Sequence, residues 1–237
     1  MSLGLLLVSC GGGSGGSNTD TSGLESPGNL ETLSNDAGME SQPHYQRLEI
    51  LPTSYKKAGD TSEEPLRGSV TITYSRYTGQ VSPQYGNYTI YKYESSFDLI
   101  NISNNRQDKS SSCYLVTELN DGGYCLGICN PGDPNEIIWE DKPVLMDFKT
   151  FEVGANQTYN SFNETGTLTV EAKEYITINN IKYPAWKIHE VSTDEAFSTE
   201  EYRWINPQYG ILKMQITMTS IEDGSVIFLD GILRECH

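Results

Sequence analysis

The chain has 237 residues, of which 36% are hydrophobic, and its 32 acidic and 16 basic side chains give a net charge of −16. Tyrosine outnumbers phenylalanine by 15 to 6, and threonine, serine, asparagine and glycine are abundant, which favours strands and turns over helices. This charge would repel phosphate groups, so we expect neither nucleic acid nor an anionic membrane surface as a partner.

The first ten residues predict a lipid attachment site. An apolar run from Leu3 to Val8 ends in Leu7-Val8-Ser9-Cys10, which resembles the lipobox that bacterial lipoprotein signal peptidase cuts before its cysteine. Acyl chains on Cys10 would anchor the protein, because each buried CH₂ contributes about 0.8 kcal/mol. Gly11 is not the aspartate of an inner-membrane retention signal. We therefore expect a lipid-anchored protein of the cell envelope, at the outer membrane and facing the periplasm or the surface.

A flexible tether is expected after the signal segment, which covers residues 1–10. Residues 11–45 are rich in glycine, serine and asparagine and contain almost no large apolar side chain, so they cannot bury enough surface to order a chain. Period-two alternation with turn residues begins near residue 46. The sequence therefore predicts one β-sheet domain over residues 46–237.

The predicted strands follow one another in chain order and are separated by Gly, Asn, Asp and Pro. They are Ser69–Tyr77, Tyr88–Leu99, Cys113–Leu119, Tyr124–Cys129, Gly166–Ala172, Tyr175–Ile178, Ile181–Val191, Thr199–Ile205, Ile211–Ser220 and Ser225–Arg234. The dipeptides Asn179-Asn180 and Asp223-Gly224 are predicted to form two-residue hairpin turns. Strands joined by such short turns form an antiparallel meander.

The last hairpin carries the clearest pattern. Leu212, Met214, Ile216 and Met218 alternate with polar residues, so one face of their strand is expected to be buried. A turn at Asp223-Gly224 is predicted to place these four opposite Leu233, Gly231, Leu229 and Ile227.

Four cysteines other than Cys10 predict two disulfides with three alternative pairings, since an exported chain meets oxidising conditions. Strand parity puts Cys113, Cys125 and Cys129 on one face, and a three-residue turn would pair Cys113 with Cys129 and leave Cys125 for Cys236. A zinc site is the alternative, but the Cys-x₃-Cys spacing does not match zinc knuckles. We expect no metal and no cofactor.

No catalytic set is expected. His189 shares strand parity with Lys187 and is predicted to face water. Adjacent acids such as Glu200-Glu201 point to opposite faces of a strand, so they cannot flank one bond and are interpreted as solvated turns. The aromatic residues fit either ordinary packing or the wall of a groove for an apolar ligand.

A resemblance extends from Lys142 to Leu233. Its parts are the segment Pro143–Gly154, the strand pair over residues 167–191, and the stretch Tyr202–Lys213 with its tryptophan strand and glycine turn. This pattern resembles uncharacterised bacterial envelope lipoproteins whose fold is similar to the curved half-barrel of LolA and LolB. The resemblance implies an all-β fold, with a single curved antiparallel sheet, half-barrel or barrel-like, around an apolar groove. It implies no enzymatic activity.

Two functions remain open. The first is a membrane-anchored, non-enzymatic lipoprotein that binds a lipid or another hydrophobic or amphipathic ligand in a groove lined by Trp186, Trp204, Met214, Ile216 and Met218. The second is a surface interaction or structural module of the envelope with a fully packed core. The sequence does not determine the oligomeric state.

Overall fold

The computed structural model describes residues 28–34, 43–119, 122–130, 133–161 and 164–236. Within these ranges the chain forms twelve strands in one antiparallel sheet and one short 3-10 helix, Pro83–Tyr85. The expectation of an all-β fold on one antiparallel sheet is therefore confirmed. The lipobox with Cys10 lies outside the described residues.

The strands are long, at 6 to 16 residues each. Their bounds are β1 Tyr45–Lys56, β2 Glu64–Arg76, β3 Tyr91–Asn101, β4 Gln107–Leu119, β5 Gly122–Asn130, β6 Asp133–Phe148, β7 Asn156–Ser161, β8 Glu164–Ile178, β9 Ile181–Thr193, β10 Phe197–Asn206, β11 Gly210–Ser220 and β12 Val226–Cys236.

The sheet curves almost into a ring. Its order is β6-β5-β4-β3-β2-β1-β12-β11-β10-β9-β8-β7, so strands that follow one another in sequence pair, except β6 with β7, and the first strand also pairs with the last. The two edges, β6 and β7, are consecutive in the chain. They approach each other where the Ser161 hydroxyl donates to the Glu140 carboxylate, at 2.8 Å. The ring is therefore open at one seam, between β6 and β7.

Both faces of this sheet carry buried side chains. The largest apolar cluster takes residues from all twelve strands, which requires them to point towards a shared centre, and we call this side the inner face. Two smaller clusters are separate from it and include side chains of the other side, the outer face. One centres on Trp204 and Leu212, and the other lies beneath the loop that carries the 3-10 helix.

Local turn chemistry sets the register of the carboxyl-terminal hairpins. Ile178 pairs with Ile181, and Asn179 and Asn180 both have positive φ, at 50° and 65°, as a type I′ turn requires. In the last hairpin Met214 pairs with Gly231, as predicted. The predicted two-residue turn there is wrong, because Ser220 pairs with Ser225 and leaves a four-residue loop.

Seven residues of the predicted tether lie against the sheet. Residues 28–34 contact β8 and β9 through hydrogen bonds, and Leu33 packs on the inner-face cluster. One apolar side chain and two backbone oxygens of this segment therefore have partners on the sheet, and the flexible tether stays a prediction. The described residues contain no helix long and apolar enough to span a membrane.

Candidate functional site

Four of the five residues predicted to line a groove belong to the inner-face cluster: Trp186, Met214, Ile216 and Met218. Trp204 lies on the outer face instead. In the register of β9 and β10, Ile205 is the partner of Trp186, and Trp204 is the partner of Lys187. Because successive side chains of a strand alternate between faces, Trp186 and Trp204 cannot share one wall.

The inner-face wall is tightly packed. Met214 and Ile216 have no accessible surface, and Trp186 and Met218 are 6% and 5% exposed. A methyl group added to Gly231 would lie 2.9 Å from Met214 Cγ, closer than carbon atoms normally approach. Access of a ligand to this wall would therefore require the wall or its cover to move.

A buried ionic cluster interrupts the apolar inner face. The guanidinium of Arg203 is fully buried, and its Nη2 donates to Glu190 Oε2 at 2.6 Å. Glu201 Oε1 lies 3.8 Å from Arg203 Nε, and Glu201 pairs directly with Glu190 across β10 and β9. One cation is thus shared by two carboxyl groups that face each other across the sheet.

Further polar groups surround this centre. The Tyr159 hydroxyl donates to Glu190 Oε1 at 2.5 Å and lies 3.3 Å from Glu164 Oε1. Asp147, on β6, is 4% exposed and accepts a hydrogen bond from the Phe148 amide. We call Arg203, Glu190, Glu201, Asp147, Glu164 and Tyr159 the inner cluster. Strands from both sides of the seam supply it, which places it where the ring nearly closes.

Burial raises the pKa of two carboxyl groups of the inner cluster. Loss of water raises the pKa of Glu201 to about 8, although Arg203 opposes this rise, and the charge of Glu190 adds to it. Burial also raises the pKa of Asp147 to about 7, again against the effect of Arg203. Burial alone would lower the pKa of Arg203, but the carboxyl groups of Glu190 and Glu201 raise it, so the guanidinium stays charged.

Two buried polar atoms beside this centre make no hydrogen bond within the described residues. They are the Tyr93 hydroxyl and Glu201 Oε1. Burial, followed by the charge of Glu201, raises the pKa of Tyr93 well above its ordinary value, so its hydroxyl is a donor at neutral pH. Chemically, the arrangement can bind and release protons near pH 7 to 8, and it can offer hydrogen bonds to one polar group.

Sequence reasoning missed this cluster. Interpreting Glu200-Glu201 as a solvated turn was wrong, because both residues lie within β10 and Glu201 is 1% exposed. A signal was present in the alternation of Thr199, Glu201, Arg203 and Ile205 on one face, all four of them buried. Three polar residues at alternating positions suggest a solvent-exposed face of the strand, although that face also carries a core isoleucine.

The cysteines confirm one predicted pair and correct the other. Cys113 and Cys129 form a disulfide on the outer face. Cys125 belongs to the inner-face cluster, because Val116 pairs with Cys125 and Leu115 with Gly127, and this bulge at Leu126 reverses the parity of the strand. Cys236 lies at the end of β12, which four strands separate from β5, and its thiol donates to the Tyr209 carbonyl. Cys125 and Cys236 are therefore not joined.

His189 lies on the outer face and is half-buried. Its ring stacks on Tyr202, with 4.4 Å between ring centres, and its nitrogens lie 3.3 Å from Glu171 and 3.1 Å from Glu200. No nucleophile is among these partners, so the position fits an ion-pair network on the sheet surface. No group of three or more His, Cys, Asp or Glu residues in the described ranges is arranged to hold a metal ion.

The chain matches no model of a known protein family and no curated protein. Among solved structures it is similar to a Bacteroides fragilis protein with a YmcC-like fold, described as exported, at 8% identity and a TM-score of 0.35. The similarity covers 86% of this chain and 99% of that chain. A likeness at this level carries no argument about function, and the resemblance to LolA and LolB stays a prediction.

Proposed function

We propose that this protein is a membrane-anchored, non-enzymatic envelope lipoprotein that binds an amphipathic ligand on the inner face of its sheet. The anchor would be the acyl group on Cys10, and the predicted location is the outer membrane. The two features that support ligand binding are the apolar wall around Met214, Ile216 and Met218 and the inner cluster beside it.

The observation that carries the proposal is the pair of buried polar atoms without hydrogen bonds, Tyr93 Oη and Glu201 Oε1. Leaving a buried donor or acceptor unpaired costs roughly 1–3 kcal/mol, so such atoms are rare in a core that has only a structural role. A ligand with one polar group and an apolar body would satisfy both atoms and bury its apolar part against the wall. Affinity would then come from buried area, and orientation from the inner cluster.

A second candidate function is an envelope interaction module with a packed core. The absence of accessible surface on Met214 and Ile216 favours it, because a wall without exposed atoms leaves no room for a ligand in this conformation. Binding partners would then contact the outer face or the edge strands β6 and β7.

Native mass spectrometry separates the two candidates. The chain with Cys10→Ser, which cannot be acylated, is purified from the periplasm and weighed before and after organic extraction. A lipid-sized adduct that is lost on extraction supports ligand binding. A bare mass, together with no uptake of a fluorescent fatty acid, contradicts it and leaves the interaction module.

Tyr93→Phe tests the role of the unpaired hydroxyl, with Tyr88→Phe as the control because Tyr88 is exposed on the surface. Removing a hydroxyl that has no partner should not destabilise the free protein. We expect Tyr93→Phe to weaken ligand binding about fivefold and the control to leave it unchanged. Equal affinities for both variants would show that the ligand does not reach Tyr93.

A further inference from the structure

The segment Asn29–Ser34, which we call the strap, lies across the rim of β8 and β9 next to Trp186. The Trp186 indole donates to the Ser34 carbonyl at 2.8 Å, and the Lys173 ammonium donates to the Leu33 carbonyl at 3.3 Å. Leu33 packs against the inner-face cluster and is half-buried. The strap thus covers the apolar interior at the end where Trp186 stands.

The rim that holds the strap is rich in donors. Lys173 lies over the Trp186 ring, 4.9 Å from its centre, and directly opposite Trp186 in the β8–β9 register. The Tyr175 hydroxyl, two residues further along β8, donates to Asn29 Oδ1 at 3.4 Å. Three donors from neighbouring strands are therefore turned towards oxygen atoms of the strap.

We propose that the strap occupies the entry site of an amphiphile with a carboxylate head, and that strap and ligand compete for it. The Leu33 side chain occupies the position of the ligand's apolar chain, and the Leu33 and Ser34 carbonyl oxygens occupy the positions of its two carboxylate oxygens. This proposal rests on ligand binding at the inner face and adds to it the ligand class and the residues that control entry.

The chemistry of the rim selects this ligand class. Lys173 is a cation in a chain of net charge −16, and together with an indole N–H it forms a two-donor site that suits a carboxylate. The adjoining surface is apolar, formed by Trp186 and by Phe151, whose ring centre lies 5.9 Å away. A single-chain fatty acid fits both features, because its head would meet Lys173 and its chain would follow the path of Leu33 inwards.

Competition predicts that weakening the strap strengthens ligand binding, since the apparent affinity is reduced by the fraction of molecules whose site is closed. Leu33→Ser removes the apolar contact. Leu30→Ser is the matched control, because Leu30 belongs to the same strap but does not pack on the inner-face cluster. Because Leu33 is half-buried, Leu33→Ser removes about half of the apolar contact of one fully buried leucine side chain. We therefore expect binding to tighten about fivefold in Leu33→Ser and to stay unchanged in the control.

The assay is a fluorescence titration of the chain carrying Cys10→Ser with 11-(dansylamino)undecanoic acid and, in parallel, with its methyl ester. Lys173→Met should weaken binding of the acid several-fold. It should leave binding of the ester unchanged or tighter, because Lys173 also holds the strap, whereas the exposed Lys182→Met should affect neither. Hydrogen exchange should become faster over residues 29–34 when the acid is bound.

The outcomes distinguish failure of the strap proposal from failure of the proposed ligand binding on which it rests. If wild type binds the acid and Leu33→Ser binds it with the same affinity, the strap proposal is overturned and ligand binding stands. If Lys173→Met weakens acid and ester equally, the carboxylate assignment is overturned. If neither wild type nor any variant binds either probe, the proposed ligand binding itself is overturned. Tighter binding in Leu33→Ser alone, with faster exchange of the strap, supports the proposal.

Discussion

Replacing Glu201 with glutamine tests whether the inner cluster retains a proton on this carboxyl group. A carboxyl group whose pKa is higher in the folded chain than in the unfolded chain contributes stability that is fully present below its ordinary pKa. This stability is lost as the pH rises through the folded value. For Glu201 that window runs from 4.5 to about 8. Each pH unit between these values is worth about 1.4 kcal/mol, so wild type should lose on the order of 4 kcal/mol from this group between pH 5 and pH 9.

Glutamine resembles the protonated carboxyl group in shape and cannot ionise. The free energy of unfolding of Glu201→Gln, measured by urea denaturation at pH 5, 6, 7, 8 and 9, should therefore fall much less steeply than that of wild type. Glu200→Gln is the matched control, since Glu200 is the next residue and lies on the exposed side of the strand. Asp147, with its pKa raised by burial to about 7, keeps a smaller slope in every variant.

Groups whose pKa is lowered in the folded protein do not affect the comparison of these stability curves between pH 5 and pH 9. Hydrogen bonds from Gln107 and from the Ser225 amide lower the pKa of Asp98 and Asp223 respectively, so their contributions are lost only as the pH falls below about 4. Parallel stability curves for wild type and Glu201→Gln between pH 5 and pH 9 would refute the inference that Glu201 is protonated in the folded protein.

Four further predictions concern the core, the cysteines and a turn. Arg203→Met should destabilise the domain by about 3–5 kcal/mol at pH 7, because it leaves Glu190 buried without its cation, and adding Glu190→Gln should restore part of the loss in urea denaturation. The disulfide joins Cys113 to Cys129, 16 residues further along the chain. Its reduction should lower the free energy of unfolding by about 3 kcal/mol, and an unchanged melting temperature under reductant would contradict this. Burial raises the pKa of Cys125 to about 12, so iodoacetamide should not label this thiol at pH 8 until the protein unfolds, as followed by mass spectrometry. Asn180→Val should cost about 2 kcal/mol and Asn180→Gly little, because this position has positive φ.

The carboxyl-terminal hairpins show which features of strand pairing a local sequence pattern can predict. Alternation and turn residues predicted the pairing of Met214 with Gly231 and of Ile178 with Ile181, and both pairs are present. The length of the last loop was wrong, because a hydrophobic pattern fixes which residues face each other and leaves the turn free to contain two residues or four.

The candidate site was harder to predict because strand parity is lost at every bulge. One extra residue at Leu126 moved Cys125 to the inner face, away from Cys129. Trp186 and Trp204 looked equivalent as aromatic residues, yet the register of β9 with β10 places them on opposite faces. No local pattern indicates such a register, because it depends on where both strands begin to pair.

Local patterns in the sequence predicted a chain rich in strands, with neighbouring strands antiparallel, and favoured the pairing of Cys113 with Cys129, because these features depend on residues close together in the chain. The pairing of β1 with β12, which brings Gln46 beside Cys236 and curves the sheet into an open ring, is visible in the folded chain alone. That closure gives the sheet an inner face, where burial raises the pKa of Glu201 and makes Arg203 a core residue. A side chain's burial and charge are set by everything that surrounds it, so they follow from the assembled fold and not from its neighbours in sequence.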